Sequence, residues 1–583
     1  MESQEINIKK VNLDNNKKVD YDQFLSSAGL FGTYQIFLFF ITFPFYMFGV
    51  FSYFSQMFLT EVPPNHWCWI PELENLTDID RRTLAIPLDP GAKFGYSHCQ
   101  AYVANWTEVL NSGQRPDKTW PIAPCQHGWE FNRTEIPYPT VSSEQEWVCG
   151  KSSYQATAQS FYFVGSIVGG LIFGWIADRY GRLAAAVGSN LIGCVAGIAT
   201  VYARNFEEFT LFRFFAGMAY DNCMMMVYLI VLEYVAPKYR TMMGNISSGI
   251  FYTLAMVFLP WIALACNDWK VLGLVTSAPM ALVLLAPIAI PESPRWLLSK
   301  GRLNDAVQKV LTVARINKTK ITTEIIDNFK ASVSQENKEE NTTILEVFRR
   351  PLLRKVFMCM CLNYMCCTTV FDGLVRSIAI LPFDFFISFS ITSFTELPSL
   401  LLVAFIMDIM GRKWLTIICM IFCCITSILT SFTTGYISLT CAFLARLAVN
   451  MAFYIAIQWT AEILPTSVRG SGFSIVHICG YLATILSPFI VYLETFVPGL
   501  PLILIGIIAA VGAASTIAIP DTSFRSMPHS FEEADDIIRA QKMFDIPCLQ
   551  KKIIDYKGEV NNCVQHKCCF KGTEKATLLY YVV

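Results

Sequence analysis

One set of charged landmarks is written twice along this 583-residue chain. Asp178, Gly181 and Arg182 follow one apolar run, and Asp408, Gly411 and Arg412 follow another. Glu233 and Arg240 return as Glu462 and Arg469, and Pro291–Glu292 returns as Pro520–Asp521. All the recurrences share an offset of about 230 residues, the mark of an internal repeat. They predict two copies of one six-helix unit in parallel orientation. A repeat of this kind places a ligand site near the bilayer midplane, between the halves.

The apolar residues support that reading because they come in long blocks. The chain is 54% hydrophobic and 16% charged, less charge than a soluble chain carries. About twelve blocks reach the roughly 20 residues that cross a bilayer. The expected class is therefore an all-α membrane protein with twelve transmembrane helices in two six-helix bundles. The boundaries expected are a cytoplasmic N-terminus at 1–32 and a first bundle at 33–290 that includes an extracellular loop at 59–153. Cytoplasmic linker helices at 291–354, a second bundle at 355–519 and a cytoplasmic tail at 520–583 follow. Lys and Arg gather in alternate short loops (Arg179, Arg182, Lys238, Arg240, Arg412, Lys413, Arg469), which sets those loops and both termini in the cytoplasm. The polar start has no apolar h-region, so no cleaved signal is expected. A net charge of −1 argues against a nucleic-acid partner.

The 59–153 loop holds Cys68, Cys99, Cys125 and Cys149, which outside the cell read as two disulfides of open connectivity. It also holds Asn-x-Ser/Thr sequons at Asn75, Asn105 and Asn132, candidate glycosylation sites. The linker carries a helical period over 303–316. In the tail, Cys563, His566, Cys568 and Cys569 fit no standard zinc spacing, and disordered tail cysteines or palmitoylation are the better readings. Tyr581–Val582–Val583 can add a strand to a PDZ-type groove, the one protein partner the sequence suggests.

Asp178 ends a span where it can meet a base at the foot of a neighbouring helix. With Arg179, Arg182, Glu233 and Arg240, and with Asp408, Arg412, Glu462 and Arg469 in the second copy, it reads as a set of gating ion pairs that hold the cytoplasmic side closed. Charged residues inside the spans are functional candidates by default.

The Asp-x-x-Gly-Arg loops resemble the signature of the major facilitator superfamily. Pro291-Glu-Ser-Pro-Arg-Trp-Leu-Leu298 is shared by its sugar and organic-ion branches. Gly32-Thr-Tyr34-Gln35, Cys125-Gln-His-Gly128-Trp129, the segment Glu144 to Cys149 and the long cysteine-bearing loop are similar to the organic cation/carnitine transporter family, over about residues 24–535. The resemblance implies a central cavity in which aromatic faces and a few buried charges meet an amphipathic organic ion. A cation–π contact there is worth ~0.5–2 kcal/mol, and a carboxylate in a low dielectric adds to it.

The chain departs from the family where cations and anions are told apart. Before Ser487-Pro488-Phe489, Tyr481 stands where cation members carry an acid. After Arg213-Phe-Phe-Ala-Gly217, Asp221 stands where cation members carry a lysine. Asp221 is the leading candidate counter-charge. Glu396 is a candidate cavity acid, and Arg446 either holds a substrate carboxylate or pairs with an acid. Asp372 reads as an outer vestibule charge or a loop acid. Tyr34, Tyr162, Tyr228, Tyr364, Tyr454 and Tyr481 are the aromatic candidates. The implied activity is alternating-access transport of a small organic cation or zwitterion, carnitine- or carcinine-like, in the plasma membrane, without catalytic residues, metal or cofactor. An organic anion transporter and a non-transporting scaffold or sensor are the alternatives.

Overall fold

The computed structural model describes residues 20–540 apart from 90–93, 114–116, 118, 336–343, 382, 466–467, 524–526 and 529, together with 553–554 and 560–561. The tail cysteines and the C-terminal Tyr581–Val583 lie outside the described residues.

Among the described residues, eleven helices are long and apolar enough to cross a bilayer, and a twelfth is apolar but shorter. In the first half they are α1 (Thr33–Thr60), α2 (Cys149–Tyr180), α3 (Arg182–Val201), α4 (Phe206–Glu233), α5 (Ser248–Cys266) and α6 (Trp269–Ala289). In the second half they are α7 (Pro351–Ile380), α8 (Phe385–Met410), α9 (Arg412–Phe432), α10 (Tyr436–Ile463), α11 (Arg469–Thr495) and α12 (Leu500–Thr516). Three of these helices are bent, and each bend has a local cause. A π turn at Ser248–Tyr252 opens α5, and Pro260 interrupts its hydrogen-bond ladder. Asp221 breaks α4 with φ +58°, a left-handed conformation that a non-glycine residue adopts only where its surroundings hold it. Pro488 stands at the first turn of the outer piece of α11.

Small residues let the helices approach closely. A Cβ at Gly165 would lie 2.0 Å from the Phe214 carbonyl oxygen, and one at Gly217 would lie 2.0 Å from that of Tyr162. Adding a methyl group at either position forces α2 and α4 apart.

The apolar core shows how the halves meet. One buried cluster runs from Tyr21 to Phe329 and belongs to the first half and the linker. A second, from Val347 to Ala534, belongs to the second half. A third is shared, and joins Val50–Leu59, Phe209 and Leu259 to Val375, Ile378, Phe385, Phe386 and Phe389. The shared cluster uses the outer ends of α1 and α7 and the start of α8. The halves are thus sealed at the end that bears the disulfide-linked loop and keep separate cores toward the opposite end.

The loop between α1 and α2 folds into two antiparallel hairpins. β1 (His66–Cys68) pairs with β4 (Trp129–Phe131), and β2 (Gln100–Tyr102) pairs with β3 (Ile122–Pro124). Disulfides Cys68–Cys125 and Cys99–Cys149 tie the hairpins together and to the start of α2. This settles the connectivity that the sequence left open. Asn75 and Asn105 are exposed, and Asn132 is half-buried with its Oδ1 accepting from the Thr134 amide at 3.0 Å.

The linker helix Leu303–Ile316 docks onto the inner end of α1, and Thr323–Gln335 packs on the short helix Tyr21–Ser27 through Phe24 and Phe329. Asn317 donates to the Ala28 carbonyl and to Gln35 Oε1 at 3.0 Å, and Gln35 donates to the Tyr234 carbonyl at 3.1 Å. A Cβ at Gly32 would lie 2.5 Å from Asn317 Oδ1, which is why the Gly-x-Tyr-Gln segment begins with glycine.

Candidate functional site

The repeated landmarks form matching clasps at the inner helix ends. Asp178 accepts from Arg182 at 2.9 Å, and Asp408 accepts from Arg412 at 2.9 Å. Gly181 (φ +118°) and Gly411 (φ +84°) make the turns between them in conformations that favour glycine. Glu292 accepts from the Arg182 amide at 3.0 Å, and Asp521 accepts from the Lys413 amide at 3.1 Å. Ser293 donates to Glu233 and Thr522 donates to Glu462. Arg412 also reaches Glu462 at 3.1 Å. Arg240 pairs with Asp22 at 3.0 Å, and Asp22 meets Arg295 as well. Against the opposing cost of burial, these two bases hold the Asp22 carboxyl below the ordinary value. Arg469 donates to the Leu464 carbonyl at 3.3 Å, and Arg179 is exposed.

Here the structure departs from the expectation. Every one of these pairs joins parts of a single half. In this conformation Asp178, Arg182, Glu233, Arg240, Asp408, Arg412 and Glu462 lock the loops of each bundle to that bundle, and they do not bridge the two. The physical reason is the separation of the cytoplasmic cores: a side chain on one bundle meets only its own bundle at that depth.

The contact between halves is at the outer end, and much of it is aromatic. Phe58 packs on Phe385 and Phe389 with centroids 5.3 and 5.1 Å apart, and Phe54 packs on Phe389 at 5.9 Å. Ser160 donates to the Ile485 carbonyl at 2.8 Å. Tyr53 on α1 donates to Asp372 on α7, and Asp372 receives Arg376 through both oxygens at 2.8 and 3.1 Å. Asp372 is buried, so the loop-acid reading does not apply.

Glu61, the first residue past α1, stands beside this closure. Its neighbours are Gln155, Tyr138 and Arg376. Burial pushes its carboxyl up to about 7, against the pull of Gln155 and Arg376. An acid with a raised pKa favours the closed form when protonated. Closure is therefore strongest below the ordinary carboxylate range and weakens as pH rises toward about 7. Raising the external pH from about 5 to about 8 will increase labelling, from outside, of a cysteine introduced at Ser160 by more than the rise that thiolate formation gives a fully exposed control cysteine. Glu61→Gln will flatten that dependence, whereas an unchanged pH profile would remove Glu61 from the closure.

At the depth of the α4 break, side chains of both halves converge. Glu396 on α8 accepts from Arg446 on α10 at 2.9 Å and from the Tyr454 hydroxyl at 3.0 Å. Arg446 also donates to the Phe371 carbonyl at 3.0 Å, with its guanidinium 4.0 Å from the Phe371 ring centroid. Both charges are buried, and they compensate one another. Asp221 has a different environment. Its carboxylate lies within electrostatic reach of the Tyr162, Tyr220, Tyr252 and Tyr364 phenols, and no base lies within ion-pair distance among the described residues. Arg213 does not pair with it. That guanidinium donates instead to Gln56 Oε1 and the Ser52 carbonyl. Tyr220 stacks on Tyr53 at 4.7 Å and meets Tyr481 across the seam at 6.2 Å. Tyr364 shares a hydrogen bond with His477 at 3.2 Å.

Of the residues singled out, Asp221, Glu396, Arg446, Tyr162, Tyr364, Tyr454 and Tyr481 are brought to this centre. Two are not. Tyr34 sits at the inner end of α1, edge-on to Tyr234 at 5.7 Å. Tyr228 lies two turns inward of Asp221 and packs against Gly244. Three central tyrosines, Tyr53, Tyr220 and Tyr252, escaped the sequence reading. The π turn that turns Tyr252 inward has no composition signature. Tyr220 had a signal, its place beside the acid that departs from the family.

The fold is one already seen in a solved structure. The inward-open xylose transporter XylE from E. coli superposes with a TM-score of 0.56, covering 86% of this chain and 99% of that one at 14% identity. The family described as "Sugar (and other) transporter" matches residues 119–371. A carcinine transporter of Drosophila melanogaster is 28% identical over 551 residues, 91% of this chain and 82% of that protein. A beta-alanine transporter of the same fly is 27% identical, covering 89% and 90% of the two chains. Solute carrier family 22 member 3 of Rattus norvegicus is 28% identical, covering 89% and 96%. Part of the chain thus matches a transporter family, and most of its length is similar to carcinine, beta-alanine and organic cation transporters.

Proposed function

We propose that this protein carries a small organic cation or zwitterion across the plasma membrane by alternating access, with both termini in the cytoplasm. It is a carrier and makes no bond, so its residues bind and gate. One observation carries the choice of charge: Asp221 is an uncompensated carboxylate at the centre, ringed by phenols. A cation placed there replaces part of its hydration with aromatic faces and meets the carboxylate in a low dielectric. Arg446 is already engaged by Glu396, which disfavours the organic-anion alternative. The clasps at the inner helix ends argue against a scaffold, which needs no moving bundles.

Substrate bound at the seam favours passage between states only to the extent that it binds them differently. In this reading the outer closure opens, the aromatic centre admits the ion, and the inner clasps travel with their own bundles as the halves rock. A fixed positive charge crossing 100 mV gains ~2.3 kcal/mol from the potential.

Uptake of labelled carcinine, β-alanine, tetraethylammonium and p-aminohippurate into transfected cells tests this. Saturable uptake of a cation or zwitterion, and none of p-aminohippurate, is expected. Asp221→Asn will weaken cation uptake roughly 10- to 100-fold, the worth of one charged hydrogen bond of ~1.5–3 kcal/mol. Preference for p-aminohippurate, or kinetics untouched by Asp221→Asn, would overturn the reading.

A further inference from the structure

Inside the first half, beneath the outer closure, runs a polar seam that meets the cation site only at Tyr162. It is built from Ser52 and Gln56 on α1, Gln159 and Tyr162 on α2, and Thr210 and Arg213 on α4. Spacings of three or four residues put each pair on one helix face. The three faces meet. Tyr162 and Ser52 share a hydrogen bond at 3.1 Å, and Arg213 Nε donates to Gln56 Oε1 at 2.7 Å. α2 and α4 run in the same direction in close contact, so Gln159 and Thr210, each one turn outward of Tyr162 and Arg213, lie at one level.

Arg213 is 3% exposed, and no carboxylate lies within ion-pair distance among the described residues. Its partners are Gln56 Oε1, the Ser52 carbonyl at 3.2 Å and the face of Tyr162 at 4.8 Å. The charged neighbour it feels is another base, Arg376. Around it, Gln56 Nε2, both amide atoms of Gln159 and Thr210 Oγ1 are buried without a hydrogen-bond partner. A buried unpaired charge is costly, and so is each buried polar atom left unsatisfied. A single negative ligand relieves both: it neutralises the guanidinium and accepts from the two amides and the hydroxyl.

We propose that Arg213, Gln56, Gln159 and Thr210 form a buried site for a small monovalent anion. One guanidinium and an enclosed seam suit a halide ion or a carboxylate group. The carboxylate can be the far end of a transported zwitterion whose ammonium sits at Asp221. Tyr162 touches both places, since Arg213 packs on its ring and Asp221 lies within electrostatic reach of its phenol. That second source rests on the carrier reading above; the halide source does not.

Thermal unfolding of the purified full-length protein tests the site without uptake. Sodium gluconate is replaced, at constant ionic strength, by sodium chloride or sodium acetate, and β-alanine is added in gluconate. Saturable stabilisation of ~2–4 °C is expected from a bound ligand. A rise with chloride identifies an inorganic ion, and a rise with acetate or β-alanine but not chloride identifies the substrate's carboxylate. Arg213→Gln and Gln159→Leu will each abolish the rise. If Arg213→Gln does not fold, Gln159→Leu decides alone, because it removes only the amide. Identical midpoints in all four solutions, or a full rise retained by Gln159→Leu, overturn the proposal. Because the readout is stability, lost cation uptake in a separate assay leaves it standing.

Discussion

Arg446→Leu will destabilise the purified protein by ~3–5 kcal/mol and reduce uptake to background, because it leaves the Glu396 carboxylate buried without its partner. Glu396→Gln will have a comparable effect from the other side, exposing Arg446 to a low dielectric with only the Phe371 carbonyl and ring for company. The double variant Glu396→Gln/Arg446→Leu is expected to lose much less than the sum of the singles, since removing both charges also removes the cost of desolvating them. Thermal unfolding of the three variants measures the coupling directly. The pair also sets the electrostatics of the seam. Tyr454 donates to Glu396 at 3.0 Å, and Tyr252 of the opposite half feels both charges. A strictly additive double variant would show that the two side chains act independently, and the view of Glu396 and Arg446 as a self-compensating pair would fall with it.

The sequence made the architecture legible because membrane insertion writes itself as long apolar blocks, and because the repeat fixed where the halves divide. Chemistry at the helix ends was legible for the same reason. Asp178 and Arg182, or Asp408 and Arg412, are four residues apart, so their pairing is a local matter. Partnerships across the molecule were not legible. Glu396 and Arg446 lie fifty residues apart on two helices, and only packing decides that they meet. The bridging role expected of the inner clasps is not seen in this conformation for the same reason: sequence shows that a helix ends in charge, but not which bundle that charge faces in one conformational state. Tyr252 was hidden for a different reason. Its direction depends on a π turn, and one extra residue in a helical turn moves every side chain beyond it around the axis. Asp221 was the opposite case. Its departure from the family pattern marked it, and its positive φ shows that the surrounding packing holds it in place.

Asp372→Asn will shift the molecule toward its outward-open state by ~2–5 kcal/mol, the range for truncating one partner of a buried hydrogen-bonded charge pair. Asp372 links two other groups of the outer closure in one contact: it accepts from Tyr53 of the opposite half and holds Arg376 through both oxygens. Its removal strands the Arg376 guanidinium between Tyr53 and Phe163, at 5.9 and 5.8 Å, without its bonded carboxylate and with Glu61 as its remaining acidic neighbour. The aromatic packing of Phe54 and Phe58 on the start of α8 remains, worth ~0.5–1.5 kcal/mol per ring pair beyond area burial, so the closure loosens and does not vanish. Tyr53→Phe isolates the cross-half component, because it keeps the ring stacked on Tyr220 and deletes only the hydroxyl. It is expected to open the outer side less than Asp372→Asn does. Extracellular maleimide labelling of a cysteine at Ser160, itself bonded across the seam to Ile485, reports the opening, with the otherwise identical protein lacking that cysteine as background. Labelling that stays at background in Asp372→Asn would mean that the aromatic cluster alone keeps the outer side shut, and that the charged clasp positions α7 without gating.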